Sequence, residues 1–223
     1  MTGCALVTIL RNDMPPHTLL FTAPGCPHCS GMKAALTVLK QEGAIAALEI
    51  VDATLEVERA RQFDVRSVPW LRIGSFEFEG QMSADDLRAW AERAAYPEGL
   101  KLYFFEMLKH GQRAKVERLI REDGRRSIAL ADLLADPEAS MAVRIGIGAV
   151  LEELQGSGAT GAMTPRLAQI LRDPEPRNRA DAAHFLSLIG GAQAFRLLRD
   201  CLDDPDEAVR EIAYDALLNA SPE

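Results

Sequence analysis

The chain lacks the features that would set it apart from ordinary globular proteins. It has only 4 cysteines in 223 residues, far too few for a domain held together by a disulfide scaffold. No apolar run approaches the roughly 18 residues that a membrane-spanning helix needs. Acidic residues outnumber basic ones and give a net charge of −8, which argues against nucleic acid and anionic membranes as general partners.

Neither half of the chain hides a basic module. Residues 1–96 carry 9 basic and 12 acidic residues, and residues 97–223 carry 16 and 21. The N-terminus has a mildly apolar stretch from Ala5 to Leu10, without a basic segment before it or a small-residue cleavage site after it. With so few cysteines, this composition predicts a protein of the reducing cytoplasm.

The first half alternates between strand and helix patterns. Short apolar runs at Thr18–Ala23 and Ile45–Val51 predict buried parallel strands. After Pro69, two short runs flank Gly74-Ser75 and predict a hairpin. The predicted order is β-α-β-α-β-β-α, with helices at Pro27–Glu42, Leu55–Phe63 and Ser83–Ala95 and hairpin strands at Trp70–Ile73 and Phe76–Phe78. The last of these helices begins with the capping-box spacing Ser83-x-x-Asp86.

The second half is predicted to be all helical. A proline and a glycine interrupt the helical pattern near Tyr96-Pro97-Glu98-Gly99, so we predict two domains, 1–96 and 97–223. Beyond this point one unit recurs three times: Asp-Pro, then an arginine, then an apolar helix rich in small residues. The pairs begin at Asp136, Asp173 and Asp204, the arginines are Arg144, Arg179 and Arg210, and the helices are predicted at 145–154, 180–189 and 211–220.

Asp before Pro suggests how each unit is built. Aspartate caps helix N-termini and proline is tolerated at the first helical position, so each Asp-Pro pair is predicted to open a helix. This half resembles HEAT repeats over roughly Arg126 to Ala220. The resemblance implies stacked helix pairs with a ladder of Asp–Arg ion pairs between them. Two earlier helices, at Leu100–Lys109 and Ala114–Glu122, fit the repeat less well and are interpreted as a capping pair.

The chemistry of the first half lies in Cys26-Pro27-His28-Cys29, which follows a predicted strand and opens a helix. The free N–H groups and the dipole of a helix N-terminus favour a thiolate, the attacking species in disulfide exchange. Cys29 lies one turn further along the same face. We therefore interpret Cys26 as the nucleophile and Cys29 as the resolving thiol, with Pro27 in the first helical turn.

Other interpretations of these residues stay open. A Cys-x-x-Cys pair can be half of a zinc site, but a structural site needs four ligands and the sequence has no second pair. His28 is either an exposed spacer or a group that stabilises the Cys26 thiolate. Cys4 and Cys201 are lone thiols, and Cys201, among leucines of a helix predicted at Phe195–Leu202, is expected to be a buried structural cysteine.

A second motif, Arg66-Ser67-Val68-Pro69-Trp70, precedes the third predicted strand. With the two motifs in this order, residues 18–95 resemble the thioredoxin superfamily, and most of all its small prokaryotic thioredoxin- and glutaredoxin-like members. The resemblance implies that Pro69 is a cis-proline opposite the cysteines and that the backbone of Val68 pairs with substrate. Pro27, His28 and Pro69 then support the catalytic cysteines, and substrate binding falls to Val68, Gly25 and Trp70, although Trp70 is equally suited to the core.

The chain departs from relatives of this kind at several positions. Gly25 replaces the tryptophan that precedes the motif in typical thioredoxins, and Leu20 stands where they keep a buried acid. Glu79-Gly80-Gln81-Met82 has one glycine where glutaredoxins use two to hold glutathione. Periplasmic disulfide-introducing enzymes share Cys-Pro-His-Cys but have a helical insertion and a signal peptide, and we expect neither here.

These observations predict a thiol–disulfide oxidoreductase that reduces protein disulfides and requires no metal or organic cofactor. Electrons would come from a flavin-dependent reductase or from glutathione. The helical repeats would dock the protein substrate, since stacked repeats present extended surfaces. The competing prediction is a non-catalytic adaptor whose disulfide state controls what the repeats bind. A binding module with a vestigial redox domain is a further alternative.

Overall fold

A computed structural model describes residues 15–94 and 96–219. The chain divides into two compact units, one extending to Leu100 and the other beginning at Lys101. The domain limits predicted from the sequence, at residues 96 and 97, remain a prediction. Cys4, Ala95 and Ala220, which entered the predictions above, lie outside the described residues.

The first unit has the predicted α/β order. Its sheet has the strand order β2-β1-β3-β4, in which β1 is parallel to β2 and antiparallel to β3, and β3 is antiparallel to β4. The elements are β1 (His17–Thr22), α1 (Cys29–Gln41), β2 (Ala47–Asp52), α2 (Val57–Gln62), β3 (Trp70–Ile73), β4 (Phe76–Glu79) and α3 (Ala84–Arg93). The predicted capping box is confirmed, because Ser83 Oγ accepts from the Asp86 N–H at 3.1 Å.

Both faces of this sheet are covered because successive strand residues point to opposite sides. On one face Leu20 packs with the apolar sides of α1 and α3, including Leu36 and Leu87. On the other face Leu19 and Phe21 pack with Trp70 and with Ala60 of α2. The sheet is therefore the middle of three layers, and β1 is buried on both sides.

Helices are the only regular secondary structure among the described residues of the second unit. Its helices are α4 (Pro97–Lys109, which begins in the first unit), α5 (Arg113–Glu122), α6 (Ile128–Leu134), α7 (Met141–Glu153), α8 (Thr164–Ile170), α9 (Pro176–Ile189), α10 (Gly191–Asp200) and α11 (Glu207–Leu218). Short 3-10 turns lie at Gly124–Ser127, Gly161–Met163 and Cys201–Asp203. The second helices of the three repeats, α7, α9 and α11, lie side by side.

The prediction that the Asp-Pro pairs cap these helices is wrong. The N-cap residues of α7, α9 and α11 are Ser140, Glu175 and Asp206. Each Asp-Pro aspartate instead accepts from the backbone N–H two residues later, at Glu138, Glu175 and Asp206. This local turn is the alternative that aspartate offers to a helix cap, and it places the Asp-Pro pair in the connection before the helix.

The predicted Asp–Arg ladder is present at one rung. Arg179 holds Asp204 of the next repeat through two bonds of 2.9 and 2.8 Å. Arg144 instead binds Asp181, at 2.6 Å, and Asp136 binds Lys101. Arg144 follows its Asp-Pro aspartate by 8 residues, whereas Arg179 follows its own by 6.

The Arg179–Asp204 pair is nearly buried, with both side chains 10% exposed. The Arg179 guanidinium lowers the pKa of Asp204 by donating hydrogen bonds to it, against the opposing effect of burial. The pair's contribution to stability is therefore complete above the pKa of an unfolded aspartate, about 3.9, and is lost as the pH falls through the lower pKa of the folded state.

Replacing Arg179 with alanine should lower the free energy of unfolding by about 3 kcal/mol, because it leaves a buried carboxylate without its partner. Urea denaturation at neutral pH, followed by circular dichroism, measures this loss. The matched control is Arg166→Ala, which removes the half-exposed pair with Asp132 and should cost less than about 1 kcal/mol. Equal losses in the two variants would contradict this account of the repeat stack.

Candidate active site

The disulfide loop, residues 23–28, begins where β1 ends. The chain turns sharply after Thr22, with the Cys26 N–H donating to the Ala23 carbonyl at 3.3 Å. Gly25 has φ +76°, a conformation that side chains other than glycine rarely adopt. Gly25 is exposed and turns the backbone toward the cysteines, and its role in substrate binding stays a prediction.

Helix α1 begins later than the sequence predicted. His28 is its N-cap residue and Cys29 its first residue, so Pro27 lies in the turn before the helix and not in its first turn. The first N–H groups of a helix have no intrahelical partner and stabilise negative charge nearby. Cys26 lies two residues before the N-cap, close to the terminus whose N–H groups favour a thiolate.

Cys26 and Cys29 form a disulfide, with their Cα atoms 5.5 Å apart. The two cysteines differ in access to solvent: Cys26 is half-buried, whereas Cys29 is only 6% exposed. After reduction, a bulky substrate could therefore reach the sulfur of Cys26 far more easily than that of Cys29. The burial agrees with the nucleophilic and resolving roles inferred from the sequence.

The second motif lies at the same end of the sheet. Residue Phe21 of β1 pairs with Trp70 of β3, so the loop after β1 and the loop before β3 are neighbours. The Val68–Pro69 peptide bond is cis, as the resemblance implied. Pro69 is buried, and its carbonyl accepts from the Gly80 N–H at 2.9 Å.

Val68 is half-buried and offers free backbone groups beside the disulfide loop. Within residues 15–94 and 96–219, no hydrogen bond involves its N–H or C=O group. An extended chain could therefore pair with these groups, as a substrate does in backbone recognition. Its role in substrate binding stays a prediction that this geometry supports.

Trp70 is a core residue, which corrects its assignment to substrate binding. Its side chain is 1% exposed, and its ring packs edge-on against Phe21 and beside Phe63, with centroids 5.6 Å apart in both cases. The indole points into the layer between the sheet and α2, so it presents no surface to a substrate. The alternative interpretation, a core tryptophan, describes it.

Two other side chains of the motifs are at the surface. Pro27 and His28 are both exposed, and the two interpretations of His28 stay open.

Leu20, which stands in place of the buried acid, is fully buried in an apolar cluster. No proton relay can therefore run through this position.

Leu55 is a residue of this end of the sheet that the sequence did not indicate. It was predicted to begin a helix, but α2 begins at Val57 and Leu55 is left in the turn after β2, with 82% of its surface exposed. That turn lies next to the disulfide loop, because the Ala53 N–H donates to the Thr22 carbonyl. The disulfide loop thus has Val68 on one flank and an exposed leucine on the other.

The remaining thiol of the described residues is unsuited to exchange. Cys201 is buried, and its thiol lies 3.3 Å from the Leu197 carbonyl. Burial raises the pKa of Cys201 to about 11, with the nearby carboxylates of Asp204 and Asp200 adding to the effect. The prediction of a buried structural cysteine is confirmed.

No group of three or more histidine, cysteine or acidic side chains among residues 15–94 and 96–219 is placed to hold a metal ion. No helix in the same part of the chain is long and apolar enough to cross a membrane.

The fold and the site together define a thioredoxin domain joined to HEAT repeats. Residues 19–92 match the model of the thioredoxin domain family, and residues 128–218 match the model of HEAT repeats. Both resemblances inferred from the sequence are therefore confirmed.

The thioredoxin half is similar to curated protein disulfide-isomerases. It is 34% identical over 98 residues to that of Gallus gallus, covering 39% of this chain and 19% of the relative. It is 40% identical over 86 residues to that of Drosophila melanogaster, covering 34% of this chain and 17% of the relative. The chain thus spans less than a fifth of either relative, and what the match supports is a thiol–disulfide oxidoreductase in general terms.

Alkylation should distinguish the thiols of the reduced protein. At neutral pH and in a Cys4→Ser background, iodoacetamide should modify Cys26 first, because it is the most accessible thiol of the described residues and lies close to a helix N-terminus. Cys201 should react only after unfolding, since its raised pKa and burial leave almost no accessible thiolate. Peptide mapping by mass spectrometry over time measures the order, and faster labelling of Cys29 or Cys201 would contradict these roles.

Proposed function

We propose that the chain reduces disulfides in other proteins through Cys26 and Cys29. Three features lie together at one end of the sheet: a half-buried Cys26, a buried Cys29 and the unbonded backbone of Val68. This arrangement is the observation that carries the proposal. This arrangement suits a substrate that is a polypeptide, because the Val68 backbone can pair with an extended chain. The name of the similar relatives, protein disulfide-isomerase, supports the same class of substrate.

The proposed reaction balances without a cofactor. The Cys26 thiolate attacks one sulfur of the substrate disulfide, forms a mixed disulfide and releases the other substrate sulfur as a thiolate, which takes up a proton. Cys29, as thiolate, then attacks the Cys26 sulfur and releases the second substrate thiol. The substrate gains two electrons, and the chain is left with the Cys26–Cys29 disulfide, the form that the structure shows.

A flavin-dependent reductase or glutathione must return two electrons for a further cycle. We also propose that the protein works in the reducing cytoplasm, where such donors operate and where a structural disulfide would be rare. The helical repeats serve as the docking platform for the substrate protein. Docking raises the local concentration of one substrate near Cys26 without changing the chemistry.

Turnover of a protein disulfide tests this function. With dithiothreitol as electron donor, the full chain should reduce insulin catalytically, and Cys26→Ser should abolish turnover because no mixed disulfide can form. Leu55→Ser should lower kcat/KM for insulin several-fold while leaving reduction of the small disulfide 5,5′-dithiobis(2-nitrobenzoate) unchanged, because only a protein substrate is large enough to contact the flank of the loop.

The matched control is Val38→Ser, which changes an exposed apolar residue of α1 and should affect neither substrate. A chain that exchanges its disulfide once and does not turn over would favour the adaptor. Equal effects of Leu55→Ser and Val38→Ser would remove the argument for a protein substrate at this flank.

A further inference from the structure

The second helices of the three repeats share one register, and this allows their exposed residues to be compared. The Nη1 atoms of Arg179 and Arg210 donate to the carbonyls five and six residues before them, and Arg144 donates to the carbonyl five residues before it. The residue three positions after each arginine is fully buried: Ile147, Ala182 and Ala213. Helices α7, α9 and α11 thus turn the same side toward the core.

Residues three before and one after each arginine lie on the opposite side of these helices, because a residue advances about 100° around an α-helix. We call this side the second-helix face. It consists of Met141 and Ile145 on α7, Pro176 and Ala180 on α9, and Glu207 and Glu211 on α11. Across these six positions the face changes from apolar, through small, to acidic, and exposed polar residues border it, namely Glu152 on α7 and Arg177 and His184 on α9.

The apolar end of the second-helix face is unusually exposed. Met141 and Ile145 are 61% and 64% exposed, although helix surfaces normally carry polar residues at such positions. They are one turn apart on α7 and therefore form a single patch. Among the described residues of the second unit, neither side chain belongs to the buried core.

The acidic end carries charge that the described chain does not neutralise. Glu207, Glu211 and Asp215 follow one another at four-residue spacing along α11, and no ion pair within residues 15–94 and 96–219 involves them. Leu218, 64% exposed, extends the stripe by a further turn. Arg210, the basic residue of this helix, is held by the carbonyls of Asp204 and Pro205.

We infer that the second-helix face binds an extended segment of a partner protein that has apolar residues at one end and lysines or arginines at the other. Neighbouring helices lie about 8–10 Å apart, so α7 and α11 are separated by roughly 20 Å, the reach of about six extended residues. On α9 the segment would cross the half-buried Pro176 and Ala180, beside the exposed side chains of Arg177 and His184. The identity of this partner as the protein whose disulfide is reduced rests on the proposed function. The binding of such a segment to this face does not depend on that function.

Charge decides between this occupant and a second copy of the chain. Two copies meeting through this face would bring the carboxylates of α11 together or set them against the apolar patch of α7, and both arrangements cost free energy. A basic and apolar segment satisfies both ends at once. Electrostatic attraction would also speed its association.

The test uses the full chain with Cys26→Ser and Cys29→Ser, so that thiol chemistry cannot contribute. The probe is a fluorescein-labelled peptide with two leucines at one end and three lysines at the other, joined by a Gly-Ser spacer of about six residues. Fluorescence anisotropy should show saturable binding that weakens with added salt. Glu207→Lys with Glu211→Lys, and separately Ile145→Asp, should each weaken binding about ten-fold or more.

Two controls match these changes on exposed residues of the first unit: Asp85→Lys with Glu92→Lys, and Val38→Asp. Both should bind the probe like the parent, and circular dichroism should show that all variants are folded. Equal binding by test and control variants overturns the inference. A loss of binding confined to the charge variant also overturns it, because the probe would then be held by general electrostatic attraction and not by this face. A dimer that is seen by sedimentation and dissociated by the charge variant overturns it as well. Insulin turnover, measured separately, reports on the proposed function alone.

Discussion

The position of β1 between β2 and β3 is the constraint on which the site depends. Hydrogen bonds on both sides of this strand fix where it ends, and therefore where the chain turns toward Cys26. The same pairing places the turn with Leu55 on one flank and the Val68–Pro69 loop on the other. Because β1 is buried on both faces, the end of the sheet that carries these loops cannot shift without opening the core. The chemistry is thus built on loops held by a rigid scaffold.

The repeats depend on a different interaction, in which one arginine side chain makes two sets of hydrogen bonds. Arg179 donates to the carbonyls of its own connection and to a carboxylate of the next repeat. It therefore fixes both the start of its helix and the stacking of the following pair. Small residues such as Gly148, which lies against Phe185, let neighbouring helices approach closely. Since these contacts fix the core side of α7, α9 and α11, the opposite side is free to vary in chemistry.

Much of this architecture could be predicted from the sequence, because it rests on local patterns. Short apolar runs and helical periods predicted the order of elements, and Cys26 and Cys29 at a strand-to-helix junction indicated the redox pair. Tertiary contacts decided the rest. Trp70 packs with Phe21 and Phe63 in the layer between the sheet and α2, and no local pattern reveals which side chains meet there. The local sequence allows each Asp-Pro aspartate either to cap a helix or to form a turn. The contacts of the arginines with the carbonyls of the turn favour the turn. Leu55 fits the apolar spacing of the helix predicted at Leu55–Phe63, but the helix itself begins two residues later, at Val57.

Trapping of a mixed disulfide in cell lysate tests the central claim, attack by Cys26 on protein disulfides, most directly. In Cys29→Ser the resolving thiol is gone, so Cys26 should remain covalently bound to the proteins that it attacks. The account predicts captured proteins that are released by dithiothreitol and are absent with Cys26→Ser/Cys29→Ser. If the single variant captures nothing beyond this control, while proteins still bind the chain non-covalently, catalysis by Cys26 is contradicted and the chain is an adaptor.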